Sequence, residues 1–88
     1  MSWFVYMLRC SDDSLYSGIT KDIDRRLNEH NSDNKKGARY TRARRPVVLV
    51  YQEPCDDRAI ASQREYQLKK LNREQKNILL ESQASNNL

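Results

Sequence analysis

Apolar and β-prone residues run from Trp3 to Leu8, the cluster Ser11-Asp12-Asp13-Ser14 supplies turn chemistry, and a second β-prone segment follows through Tyr16-Ser17-Gly18. This order predicts a β-hairpin at the start of the chain. Side chains alternate faces along each strand, so loop length decides whether Tyr6 and Tyr16 can cooperate. A two-residue turn would set them on opposite faces, but such turns favour Gly or Asn-Gly, and neither is present. An odd loop, Asp12 to Ser14 or their neighbours, places both tyrosines on one face, with Asp13 tolerating the left-handed conformation.

After the hairpin, Asp22 is the expected N-cap of a helix through about Asn31, with Ile23 and Leu27 spaced i, i+4 on its apolar side. Arg26 and His30 share that side and are expected at the rim of the core, whereas Arg25 points to solvent. The polar run Asn31 to Gly37 reads as a loop, and Ala38 to Arg44 as a short helical turn ended by Pro46. Val47 to Gln52 reads as a third strand, whose near-continuous apolar character suggests a central position. Asp56 or Asp57 then caps a long helix with Ile60, Ala61, Leu68 and Leu71 on its apolar face and Glu65 beside it. Asn72 with Gln75 resembles a capping box for a last helix carrying Ile78 and Leu79. Residues 1–81 are expected to form one domain, and the polar tail 82–88 to be frayed or disordered.

At 88 residues and 38% hydrophobic content, the chain has no room for a separate recognition domain, so chemistry and binding share one small surface. No apolar run approaches the roughly 20 residues of a membrane span, and the N-terminus lacks a signal peptide's basic-then-apolar order. A cytoplasmic protein with no membrane partner is the expectation. Cys10 and Cys55 lack CxxC spacing, and the single histidine cannot complete a structural zinc site, so both cysteines are read as reduced, small hydrophobes.

The net charge of +4 says less than its distribution. Lys35, Lys36, Arg39, Arg42, Arg44 and Arg45 crowd one stretch with no acid among them and Tyr40 inside it. Guanidinium groups contact phosphates and a tyrosine ring stacks on bases, which makes nucleic acid the natural ligand class. A solvated basic loop is the plain alternative.

Taken in order, Phe4-Val5-Tyr6, Tyr16-Ser17-Gly18-Ile19-Thr20, Asp22, Arg25-Arg26-Leu27, Glu29-His30-Asn31, Gly37-Ala38-Arg39-Tyr40-Thr41, Arg44-Arg45-Pro46-Val47, Val50-Tyr51 and Arg64-Glu65 resemble the GIY-YIG nuclease superfamily, in particular its small single-domain bacterial members. The resemblance implies an α/β fold of the α+β type, a three-stranded antiparallel sheet flanked by helices. It matches Tyr6 to the tyrosine closing the first motif, Tyr16 and the motif glycine Gly18 to the second, Arg26 to the helix arginine, His30 to a basic or histidine position, and Glu65 to the glutamate that binds a divalent metal. Phe4 stands where the family pattern has glycine, and Ser17 where it has isoleucine.

The implied activity is metal-dependent DNA endonuclease action, structure-selective or weakly sequence-specific, in DNA repair or processing, with magnesium or manganese as cofactor. In that scheme Tyr16 takes the proton from water and Tyr6 orients water or phosphate. Arg26 stabilises developing charge, His30 is an auxiliary acid or base, and Glu65 holds the cation. Two other readings compete: a nucleic-acid-binding module that keeps the fold without activity, and a scaffold whose basic strip meets an acidic partner.

Overall fold

The computed structural model describes residues 2–86. In chain order it contains β1 (Trp3–Arg9), β2 (Leu15–Thr20), α1 (Ile23–Ser32), α2 (Arg39–Arg42), β3 (Val48–Cys55), α3 (Arg58–Lys70) and α4 (Arg73–Asn86). The strands form one antiparallel sheet in the order β2-β1-β3. Tyr6 lies opposite Gly18 and Leu8 opposite Tyr16, so both tyrosines leave the same face, as the odd-loop argument requires. The loop is longer than expected, Cys10 to Ser14, and Asp13 takes the left-handed conformation at φ 68°.

The two faces of the sheet carry two cores. Val5 and Met7 of β1 point to one side, where Tyr51, Cys55, Ala61, Leu68 and Leu80 close around them under α3 and α4. Tyr6 and Leu8 point to the other, where Cys10 and Val47 join them beside Tyr16, Ile23, Leu27 and Leu49. Cys10 and Cys55 are both buried, unpaired thiols, and burial pushes each up from its ordinary pKa.

The centre of the sheet is β1, not β3. Its residues Val5 to Leu8 are buried on both faces, whereas Val48 at the start of β3 is 53% exposed. The apolar run Val47 to Tyr51 suggested the opposite, but β3 continues through Pro54, which has no N–H to give a second neighbour and so belongs on an edge. That edge is clipped by two side-chain amides. Asn31 Oδ1 accepts from the Val47 N–H at 2.7 Å while its Nδ2 donates to the Val47 carbonyl at 2.9 Å. Gln83 does the same at Gln52, with distances of 3.0 and 2.7 Å. Each amide stands in for one residue of a missing strand and blunts an exposed edge.

The helix starts follow local chemistry. Asp22 accepts from the Arg25 N–H and Asp57 from the Ile60 N–H, and Asn72 and Gln75 exchange reciprocal bonds at the start of α4. Ile60 does not join the apolar face of α3; it is 44% exposed, and Ala61 and Leu68 carry the burial. Helix α4 runs on through Asn86, so the polar segment from Ser82 begins inside a helix, where Gln83 has its clipping role. The rest of the expected tail, 87–88, lies outside the described residues. No helix among the described residues is long and apolar enough to cross a membrane.

Replacing Gln83 with Ala leaves the Gln52 N–H and carbonyl without protein partners. Loss of two exposed hydrogen bonds should lower unfolding stability by about 1 kcal/mol. Urea titration reads this as an earlier midpoint at unchanged slope; an unmoved midpoint would contradict the clip.

Candidate active site

The site is built over a histidine rather than around one. Helix α1 directs His30 into the sheet, where it is 0% exposed instead of standing at the rim. The reason lies in two distant partners: the Tyr6 hydroxyl is 2.8 Å from His30 Nε2, and Thr41 Oγ1 is 2.8 Å from His30 Nδ1. Thr41 has a single hydroxyl proton, which it donates to the Ala38 carbonyl at 3.0 Å. It therefore accepts from His30 Nδ1–H, which leaves Nε2 bare to accept from the Tyr6 O–H. The chain of donors runs Tyr6 to His30 to Thr41 to the backbone of Ala38, every polar atom satisfied in a dry interior.

That order fixes the charge state of the pair. Burial first, then the positive charge of Arg26, holds His30 down at about 4, so the ring is neutral. Burial pushes Tyr6 up to about 12; the Arg26 guanidinium pulls the other way, and the nearby Tyr16 and Glu65 add to the rise. Tyr6 thus feels Arg26, Tyr16 and Glu65 together, residues that come from α1, β2 and α3. Gly18 makes the arrangement possible. It faces Tyr6 across the sheet, and a Cβ there would lie 2.5 Å from the Tyr6 hydroxyl oxygen and 2.7 Å from Cζ. The Tyr6 ring lies flat over the bare strand.

Tyr16 is half-buried, with its ring edge-on to His30 at 5.3 Å between centroids and stacked on Tyr40 at 5.9 Å. Among the described residues its hydroxyl has no protein partner. Arg26 is held by Nη1, which donates to Glu29 Oε1 at 3.0 Å and to the Lys36 carbonyl at 2.7 Å, and its guanidinium also interacts with the Tyr6 hydroxyl. Glu65 sits on α3 with its side chain 21% exposed, and Oε1 is 2.9 Å from Lys69 Nζ. No group of three metal-ligating side chains occurs among the described residues.

The basic strip divides in two. Lys35, Lys36 and Arg39 are exposed, and their charged groups have no partner among the described residues. The other three are engaged within the fold. Arg45 donates to the His30 and Asp33 carbonyls at the end of α1 and to Asn34 Oδ1, a C-terminal cap that complements the helix dipole. Arg42 donates to the Asn34 carbonyl, and Arg44 bonds Asp12 Oδ2 at 3.0 Å while lying 3.8 Å over the Tyr40 ring. Tyr40 thereby belongs to the wall of the site, against Tyr16. Sequence reasoning gave Thr41 and Glu29 no role of their own, although both stand in the segments that carry the family resemblance; in the structure they hold His30 and Arg26.

The chain matches the GIY-YIG catalytic domain over residues 2–77 and belongs to that family, a nuclease superfamily. It is similar to UPF0213 protein DP2720 of Desulfotalea psychrophila, with 56% identity over 81 residues, 92% of this chain and 73% of the relative. It is also similar to UPF0213 protein SH2523 of Staphylococcus haemolyticus, at 46% over 78 residues, 89% of this chain and 93% of the relative. Two solution NMR structures share the fold. The UPF0213 protein BH0048 from Bacillus halodurans superimposes with TM-score 0.58 at 41% identity, covering 92% of this chain and 84% of that one. The protein EF2693 from E. faecalis gives TM-score 0.63 at 43%, covering 93% and 85%.

Two outcomes follow from the buried chain of hydrogen bonds. Gly18→Ala forces the Tyr6 ring off its seat, and should cost about 1–3 kcal/mol of stability together with the Tyr6–His30 bond; an unchanged melting midpoint would contradict the flat packing. The second concerns acid. Below pH 6.5 an unfolded histidine takes up a proton that folded His30 refuses until about 4, so stability is full above 6.5 and falls as pH drops toward 4. The loss between pH 7 and pH 5 should be about 2 kcal/mol and should disappear in His30→Gln. Equal pH slopes in the two proteins would refute it.

Proposed function

We propose that the chain is a metal-dependent DNA endonuclease that hydrolyses phosphodiester bonds, structure-selective or weakly sequence-specific, with a role in DNA repair or processing. The observation that carries this reading is the buried Tyr6–His30 hydrogen bond with Tyr16 set edge-on to the same ring, while the charges of Arg26 and Glu65 reach the Tyr6 hydroxyl. Membership of a nuclease superfamily supports it.

The roles follow from which groups are free. A hydroxyl pushed up to about 12 and donating to a buried imidazole keeps its proton, so Tyr6 is a positioning residue at the floor of the site. His30, with both ring nitrogens engaged and no exposure, acts through the tyrosines it holds rather than on substrate, in place of the auxiliary acid or base expected of a rim residue. Tyr16 has the open hydroxyl and, as the phenolate, its own proton having passed to solvent, would take the proton from an attacking water. Arg26, anchored through Nη1 beside the Tyr6 hydroxyl, would bring its guanidinium charge to the nonbridging phosphate oxygens as charge builds. Lys35, Lys36 and Arg39 bring positive charge for the flanking backbone.

Glu65 has the chemistry of a hard-cation ligand, since magnesium or manganese retains several waters and accepts one carboxylate completed by substrate phosphate. Its Oε2 is the oxygen not engaged by Lys69. A cation bound there would neutralise phosphate charge and the departing alkoxide. A second reading, a DNA-binding module without activity, draws on that same ion pair, in which Lys69 already meets the carboxylate a metal would need.

The test is incubation of the purified protein with labelled single-stranded, duplex and branched DNA, with and without magnesium or manganese. Cleavage that needs the cation and drops roughly 100-fold or more in Tyr16→Phe and in Glu65→Ala is the expected outcome. Salt-sensitive binding with no product in any condition would replace the enzyme by the binding module.

A further inference from the structure

A cleft of about 470 Å³ lies between β1, β3 and the start of α1, and its chemistry differs from the rest of the site. Its apolar surface comes from Phe4, Ile23 and Leu49, and its polar surface from Asp22, Asp24 and Gln52, with Lys21 also lining it. Two of its lining residues, Phe4 and Gln52, neighbour Tyr6 in the sheet. Phe4 precedes Tyr6 by two residues on β1, so both side chains leave the same face about 7 Å apart along the strand. Gln52 is the residue opposite Tyr6 on β3.

We propose that this cleft is a subsite for an unpaired nucleobase carrying an exocyclic amine, guanine best of all, next to the phosphate to be cut. The proposal rests on the nuclease reading and names its substrate class. Three features carry it. The half-buried Phe4 ring, standing where the family pattern has glycine, presents an aromatic surface flanked by the aliphatic Ile23 and Leu49, which suits a flat heterocycle. The polar wall carries two carboxylates, beside the Lys21 ammonium and the Gln52 amide. Asp22 uses Oδ1 to cap α1, leaving Oδ2, and Asp24 has no ion-pair partner among the described residues. The two carboxylates attract N–H donors, and Lys21 offsets part of their charge toward a neighbouring phosphate. Finally, Gln52 is presented from a fixed backbone, because both its N–H and its carbonyl are held by Gln83.

Guanine offers two adjacent donors, N1–H and the N2 amine, to a carboxylate. Adenine and cytosine offer one exocyclic amine, and thymine meets the wall with carbonyl oxygens on either side of a single N–H. An edge already paired in a duplex cannot make these contacts, so the nucleotide beside the cut must be unpaired: a flap, an overhang or a single strand.

Isotopically labelled protein titrated with dGMP and with dTMP isolates the base, since the two share sugar and phosphate. The expected result is resonance shifts at the Gln52 side-chain amide and the Ile23 and Leu49 methyls with dGMP, at roughly tenfold tighter binding than dTMP. Asp24→Asn, which keeps the side chain's size but removes the carboxylate, should erase the difference between nucleotides, whereas Phe4→Leu should weaken both. Identical shifts from both nucleotides, shifts confined to Lys35–Arg45, or no shifts at millimolar nucleotide would each overturn the subsite. Its failure is separable from that of the nuclease: base-dependent shifts without DNA cleavage would leave the subsite standing, and cleavage without them would leave only the nuclease.

Discussion

The buried hydrogen bond between the Tyr6 hydroxyl and His30 Nε2 is the contact on which the site depends. It joins the central strand to α1, and through His30 Nδ1 and Thr41 it reaches α2. A polar chain of this kind in a dry core stabilises only when complete; removing one partner strands a buried donor or acceptor at about 1–3 kcal/mol. Completeness explains features that look unrelated in the sequence. Gly18 is bare because the Tyr6 ring crosses it, and Thr41 is a hydroxyl rather than an apolar residue because the imidazole N–H needs an acceptor. Arg45 caps the carbonyl of His30 itself, fixing the end of the helix that carries the ring.

Charge is divided by the same logic. The electropositive stretch Lys35–Arg45 includes arginines that serve the fold: Arg45 closes α1, Arg42 reaches the Asn34 carbonyl, and Arg44 ties α2 to Asp12 of the hairpin loop. Hydrogen bonds from Ser14 first, and then Arg44, hold the Asp12 carboxyl below its usual range. What remains for a polyanion is the exposed trio Lys35, Lys36 and Arg39 beside Arg26. A strongly basic loop can therefore be mainly a structural clamp, with its free charge concentrated at one end.

Much of the fold was legible because it rests on local rules. Turn chemistry and strand parity placed Tyr6 and Tyr16 on one face, and single side chains at Asp22, Asp57 and Asn72 announced the helix starts. The errors fall where partners are remote. A run of apolar residues says that a strand is buried, not where it sits in the sheet, and Pro54 was the better guide to the edge position of β3. Helical periodicity put His30 at the rim, since nothing adjacent reveals that Tyr6 and Thr41 will enclose it. Gln83 lay in a stretch whose polarity reads as a frayed tail until its amide is matched with the Gln52 backbone.

The direct test of this account is the protonation state of His30 read by nitrogen-15 NMR of its ring. The hydrogen-bond order requires a neutral imidazole with the proton on Nδ1 and a bare Nε2, persisting until the pH falls to about 4. A proton on Nε2, or a ring that titrates near the ordinary value of 6.5, would mean that Tyr6 is not the donor and that the site is held together in some other way.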